Sequence, residues 1–251
     1  MAGILLVHGA WHGPWCWDGV AERLRRRGHR VEAVRLRGHD RPRGRIWHRV
    51  HHYVEDVGVA AARFAEPPVL VGHSLGGRVV QRYLASGPAR AGVLLAPIPH
   101  RGALGAAARL AAHHPAELAK ATLTMRLRPL VASRAAVREL FFTQTTPQEL
   151  VDEVWGRLQD ESYLAFLDAM VVWARPRRVP VLVLGAEHDG FFTLAELRRT
   201  AAAYGVEAEV FSGMGHNLML DHGWPQVADR IDTWVRGLPP ASPRLLGRRT
   251  Q

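Results

Sequence analysis

Apolar residues in this chain gather into short, almost unbroken aliphatic runs, set apart by longer stretches with helical spacing. Residues 3–8, 30–36, 68–73, 91–96, 179–185 and 207–211 are such runs and predict strands. Most are continuous rather than alternating, the pattern of central parallel strands covered on both faces. The helical stretches end on recognisable stops. Gly28 closes 20–27, Pro67-Pro68 ends 50–64, Gly87-Pro88 follows 76–86 and Gly205 follows 194–204. Strand and helix in regular alternation predict an α/β fold, a doubly wound, mostly parallel sheet of about six strands.

One interval departs from this rhythm. Residues 97–178 show helical patterns at 105–113, 115–125, 133–142, 147–158 and 163–173, with no convincing strand. Thr146 is placed to cap the fourth of these, with Pro147 at its first position. The organisation expected is a core of residues 1–96 and 179–236, interrupted by a helical cap of 97–178. Such an insertion sits over the C-terminal strand ends, where open α/β sheets bind ligands. The tail 237–251 is rich in Pro and Arg, has no periodicity and is expected to be disordered.

Composition removes several alternatives. At 251 residues the chain can bury a large core unaided, and its single cysteine, Cys16, excludes an internal disulfide framework. No run approaches the roughly 20 apolar residues that cross a bilayer, and no basic leader precedes the first strand, so a cytoplasmic protein is expected. The net charge of +10 would ordinarily suggest nucleic acid. Here the cations are almost all scattered arginines, and the clusters at 23–27 and 41–49 carry no aromatic nucleic-acid signature, so no such partner is expected. The charge reads as solubility and weak attraction for anions.

The strongest chemical signal is Gly72-His73-Ser74-Leu75-Gly76-Gly77, between a strand and a helical stretch. This is the G-x-S-x-G elbow in the context that gives it meaning: glycines permit a tight turn that presents the Ser74 hydroxyl. A serine needs a base, and the base an orienting acid, which in this arrangement follow in the order serine, acid, histidine. The strand ending at Gly185 runs into Glu187-His188-Asp189, and the strand ending at Phe211 into Gly213-Met214-Gly215-His216. His216 is the candidate base. Asp189 is the favoured acid and Glu187 its competitor. Backbone donors for an oxyanion would be the amides of Leu75 and of Ala10, the latter in the loop after the first strand.

With HGAWHGPWCW (8–17), GHSLGG (72–77), LGAEHD (184–189) and GMGHNLML (213–220), the chain resembles the α/β-hydrolase superfamily over about residues 3–236. The first motif is similar to a branch of plant methylesterases, hydroxynitrile lyases and small bacterial esterases of lysophospholipase-like type. The resemblance implies Ser-Asp-His chemistry on a small-molecule ester or acyl substrate, without metal or organic cofactor. It also implies the same oxyanion donors. The lyases carry lysine after the catalytic histidine, where this chain has Asn217, which argues against cyanohydrin cleavage. Ser74 argues against the aspartate-nucleophile branches. Pro97 leaves the alternative acid position empty.

Other residues have plainer readings. Cys16 fits as a small buried apolar residue, and His51-His52 and His113-His114 as solvated helix faces. Trp11 and Met214 could line the substrate pocket or pack in the core. In the cap, Phe141, Phe142, Leu164, Phe166, Leu167, Met170 and Trp173 are spaced for packing, and Arg126, Arg128, Arg134 and Arg138 for a solvated face. The function expected is a serine carboxylesterase working through an acyl-enzyme. Acyl transfer, lactone chemistry or C–C hydrolysis on the same groups is the alternative, and a ligand receptor with a vestigial triad a further one. Oligomeric state is left open.

Overall fold

The predicted runs pair into one parallel sheet, formed by β1 (Gly3–Val7), β2 (Arg30–Val34), β3 (Val69–His73), β4 (Ala91–Leu95), β5 (Val181–His188) and β6 (Ala208–Gly215). Its order is β2-β1-β3-β4-β5-β6, with every neighbouring pair parallel. The computed structural model describes residues 1–39, 47–171, 174, 176 and 179–239. The expected tail therefore lies outside the described residues from 240 onward, as do Trp173 and most of the basic cluster 41–49.

The helices are α1 (Asp18–Arg26), α2 (Val50–Ala61), α3 (Leu75–Leu84), α4 (Leu104–His113), α5 (Pro115–Thr124), α6 (Arg134–Phe141), α7 (Gln148–Arg157), α8 (Tyr163–Val171), α9 (Leu194–Ala203) and α10 (Trp224–Arg236). Two apolar cores sandwich the sheet. Ile4 and Leu6 of β1 and Val69 and Val71 of β3 join α1 and α10 on one face. Leu5, Val7 and Leu70 join α2, α3 and α9 on the other. This is why the inner strands read as continuous apolar runs: each successive side chain has a core to enter. The edge strands β2 and β6 are only partly buried.

Three local expectations need correction. β5 continues three residues past Gly185 and β6 four past Phe211, with an irregularity between Ala186 and His188. Pro147 itself caps α7, while the Thr146 hydroxyl donates instead to Asp221 Oδ1 at 3.2 Å. The sequence pattern also did not single out α10, which closes one core through Val227, Ala228, Ile231 and Val235.

Between β4 and β5 lie α4–α8, and many of their buried side chains form an apolar cluster of their own that includes Trp11 from the loop after β1. Among the described residues no helix is long and apolar enough to cross a membrane. The sheet order reverses between β1 and β3, so the loops leaving these neighbouring strands part toward opposite faces and leave a crevice at their C-terminal ends.

Candidate active site

Ser74 stands at that crevice, between the last residue of β3 and the first of α3. Its backbone is at φ +52°, ψ −115°, a conformation a non-glycine residue holds only when its surroundings enforce it. The enforcement is visible: Ser74 N donates to Leu95 O at 3.0 Å, and Ser74 O accepts from Arg78 N at 3.1 Å and Ile98 N at 3.2 Å. The flanking glycines are required by crowding. A Cβ at Gly72 would collide with the carbonyl of Gly76, and one at Gly76 with the carbonyls of Val7 and His8.

A cavity of about 590 Å³, part of it open to solvent, lies against Ser74 and is lined by Ala10, Trp11, Leu75 and apolar side chains of α4 and α8. Leu75 opens α3, so its amide belongs to the positive end of that helix. Ala10 belongs to the loop after β1, which Gly9 brings close enough that a Cβ there would lie 3.1 Å from Ser74 Cβ. Trp11 has a left-handed backbone at φ +63° and does line the cavity. Met214 does not; it is buried in the core beneath β6, against Gly223. Packing is therefore its role.

Asp189 and His216 come together from the ends of β5 and β6. His216 Nδ1 and Asp189 Oδ2 are 2.8 Å apart, and Asp189 Oδ1 accepts from the amides of Phe191 (2.8 Å) and Phe192 (3.0 Å). Glu187 turns elsewhere, accepting from Gly213 N at 2.9 Å on the exposed side of the sheet edge. The His216 ring is completely buried, and among the described residues its Nε2 has no hydrogen-bond partner. Phe191 and Phe192, which line the cavity beside Ser74, pack on this ring at centroid distances of 4.7 and 5.6 Å. An imidazole whose Nδ1 proton is committed to a carboxylate keeps a basic lone pair on Nε2, here in a water-poor site.

Both loops press against the end of α6. A Cβ on Gly190 would lie 2.7 Å from Leu140 O, and one on Gly215 2.7 Å from Phe141 O. Gly215 thus serves close approach rather than backbone strain; the left-handed glycine is Gly213, at φ +70°.

Supporting histidines surround the Asp189–His216 pair; the sequence reads His8 as a partner of the loop backbone but gives no role to His12 or His73. His12 Nδ1 lies 2.7 Å from Ala10 O, an atom that can only accept, so the proton sits on Nδ1 and Nε2 accepts from Asn217 Nδ2 at 3.2 Å. His12 therefore ties the loop carrying Ala10 to the residue after His216. Burial depresses its pKa to about 4, the backbone bond to Ala10 opposing and the nearby His216 reinforcing the shift, which keeps this tautomer neutral. His73 Nε2 donates to His216 O at 3.0 Å, and His8 Nδ1 to Gly9 O at 3.0 Å. Both are held well below the ordinary histidine range, chiefly by burial. The HGAWHG motif contains His8 and His12, but nothing in it reveals a partner 205 positions away. Cys16 is fully buried and its thiol is pushed up by burial, as a packing residue would be.

A parallel α/β sheet with a serine elbow after its third strand and an Asp–His pair at two later strand ends defines a hydrolase-type architecture. The chain belongs to the alpha/beta hydrolase family, which it matches over residues 4–230. It is similar to the carbendazim hydrolyzing esterase of Nocardioides sp., with 37% identity over 90 residues, 32% of this chain and 34% of that protein. It is also similar to methylesterase 3 of Arabidopsis thaliana, with 38% identity over 89 residues, 30% of each. The matched stretch thus spans about a third of these relatives. Among solved structures, an extracellular alpha/beta-hydrolase from a Paenibacillus species superimposes with a TM-score of 0.74 at 16% identity, covering 93% of this chain and 98% of that one. At that identity the likeness concerns the fold.

Proposed function

We propose that this chain is a serine carboxylesterase acting on small-molecule esters through an acyl-enzyme. The observation that carries the proposal is the buried His216, locked to Asp189 through Nδ1 and left with a free Nε2 beside the walls of the cavity that holds the strained Ser74.

In this reading the Ser74 hydroxyl attacks the acyl carbon while His216 Nε2 takes its proton. Asp189 fixes the ring and stabilises the imidazolium. The Ala10 and Leu75 amides receive the negative charge that develops on the carbonyl oxygen. Collapse of the tetrahedral species expels the alcohol, which takes the proton back from His216. Water then enters, gives a proton to His216 and attacks the acyl carbon, and His216 returns that proton to Ser74 Oγ as the carboxylic acid leaves. The helices α4–α8 act as the cap over this site. Their apolar contribution to the cavity supports short to medium acyl chains as the preferred class, with no emulsified lipid needed. The esterase and methylesterase names borne by relatives support the same class of substrate. A cytoplasmic location belongs to the proposal as well, supported by a sequence with one cysteine and no possible internal disulfide.

A fluorophosphonate probe should label Ser74 stoichiometrically. Ser74→Ala should lower p-nitrophenyl butyrate turnover on the order of 10⁴-fold or more. Turnover by Ser74→Ala equal to that of the parent protein would remove the assignment.

A further inference from the structure

The cavity beside Ser74 has almost wholly apolar walls, with one charged residue, Glu161, among those lining it. Glu161 lies in the turn between α7 and α8, and its side chain is 1% exposed. A carboxylate so placed is expensive unless its oxygens are satisfied. Three groups supply most of what it needs. Glu161 Oε1 accepts from the Tyr53 hydroxyl at 2.7 Å and from Ser162 N at 2.6 Å, and Oε2 accepts from His39 Nε2 at 3.1 Å. Burial alone would drive the His39 imidazole neutral, but the adjoining carboxylate outweighs burial and raises its pKa. The same pairing lowers that of Glu161 against its own burial. The carboxylate and the imidazole thus form a buried, hydrogen-bonded pair that favours the charged form of each, fixed by residues of α2 and of the loop after β2.

A carboxylate offers about four acceptor positions, and among the described residues two on Oε1 and one on Oε2 are filled. We infer that Glu161 is a specificity-determining residue whose remaining acceptor position on Oε2 binds a hydroxyl group of the substrate, remote from the ester being cleaved. This rests on the esterase reading of Ser74. The substrate class it names is a hydroxylated ester, in which an otherwise apolar acyl or alcohol arm carries one hydroxyl. A carboxylate on that arm would meet Glu161 with like charge. A plain hydrocarbon arm would cover the open acceptor without satisfying it.

Binding to Ser74→Ala by isothermal titration tests this without relying on turnover. The probes are matched ester pairs, methyl ω-hydroxyacyl against methyl acyl esters and butyrates of alkanediols against those of alkanols, over a range of short chain lengths. The hydroxylated partner should bind about 10- to 100-fold more tightly at one chain length in one of the two arms. Its O-methyl ether, which cannot donate, should lose that advantage. In Glu161→Gln, made on the same background, an amide N–H replaces the acceptor, and hydroxyl and O-methyl ligands should bind within about threefold of each other. Should Glu161→Gln fail to fold, the pairs on Ser74→Ala alone still decide. Equal affinity across every pair in both arms overturns the inference. Absence of p-nitrophenyl butyrate turnover by the parent protein would instead overturn the esterase reading.

Discussion

His12 shows how a residue outside the proposed trio of Ser74, Asp189 and His216 can bear on it. It holds Ala10 O with one ring nitrogen and Asn217 with the other, so it sets the spacing between the loop expected to bind the oxyanion and the loop of the expected base. His12→Ala leaves a carbonyl and an amide without their partner inside the protein, a loss of about 1–3 kcal/mol. Because it acts through position, kcat for p-nitrophenyl butyrate should fall about 10- to 100-fold while KM changes little. An unchanged kcat with only a lowered Tm would restrict His12 to a structural role. At this scale the sequence spoke clearly about Ser74, His216 and Asp189, because strand ends and glycines frame them. It was silent about His12, Tyr53, His39 and Glu161. Their meaning lies in contacts between positions 108 to 205 residues apart, to which no local spacing corresponds. Met214 stayed open between pocket and core for a related reason: nearness in sequence to His216 does not say which side chains reach the cavity.

Among the elements, the end of α6 does most to place the site. Its last turn lies against both Gly190 and Gly215, and Asn217 N donates to Phe141 O at 3.0 Å. Gly215→Ala forces a Cβ to 2.7 Å from the Phe141 carbonyl, so the His216 loop or α6 has to shift. Its kcat/KM should drop on the order of 10²-fold, with a fall in Tm measurable by calorimetry. Ser133, whose hydroxyl accepts from Ala136 N at 3.1 Å, caps the same helix in an exposed position. Ser133→Ala should cost about 1 kcal/mol by denaturant unfolding and leave the esterase constants near those of the parent. The strands of the sheet were legible because each is an aliphatic run between two cores. α10 was less so, since its apolar face is interleaved with charged residues. The strand extensions at β5 and β6 escaped notice because Glu187, His188 and Ser212 break the apolar pattern while the backbone pairing continues.

At the scale of the whole molecule, buried histidines set the response to acid. His8, His12 and His73 are neutral in the fold with depressed pKa values, that of His12 near 4, whereas in the unfolded chain each titrates near 6.5. Between those limits the unfolded chain binds more protons, so stability rises with pH and is lost as pH falls from about 6.5 toward 4. His12 alone accounts for up to about 3 kcal/mol of that loss. The His39–Glu161 pair acts in two ways. The raised His39 adds stability below its unfolded value and loses it as pH climbs through its folded one. The lowered Glu161 adds stability above its unfolded value and loses it as pH drops through its folded one. With five depressed imidazoles, His8, His12, His48, His73 and His100, against one elevated, His39, Tm should decline steadily from pH 6.5 to 4.5 in scanning calorimetry. A flat or rising Tm over that interval would contradict this balance.

Trp11 links these scales. Its Nε1 donates to Leu127 O at 3.1 Å and its own carbonyl accepts from Gln159 N at 2.8 Å, so two separate stretches of the helical insertion grip the residue next to Ala10. Both bonds bear on a residue whose backbone is held in the left-handed region at φ +63°. The insertion and the loop beside Ser74 are therefore mechanically joined through this one residue, so the position of the Ala10 amide depends on helices far from it in sequence.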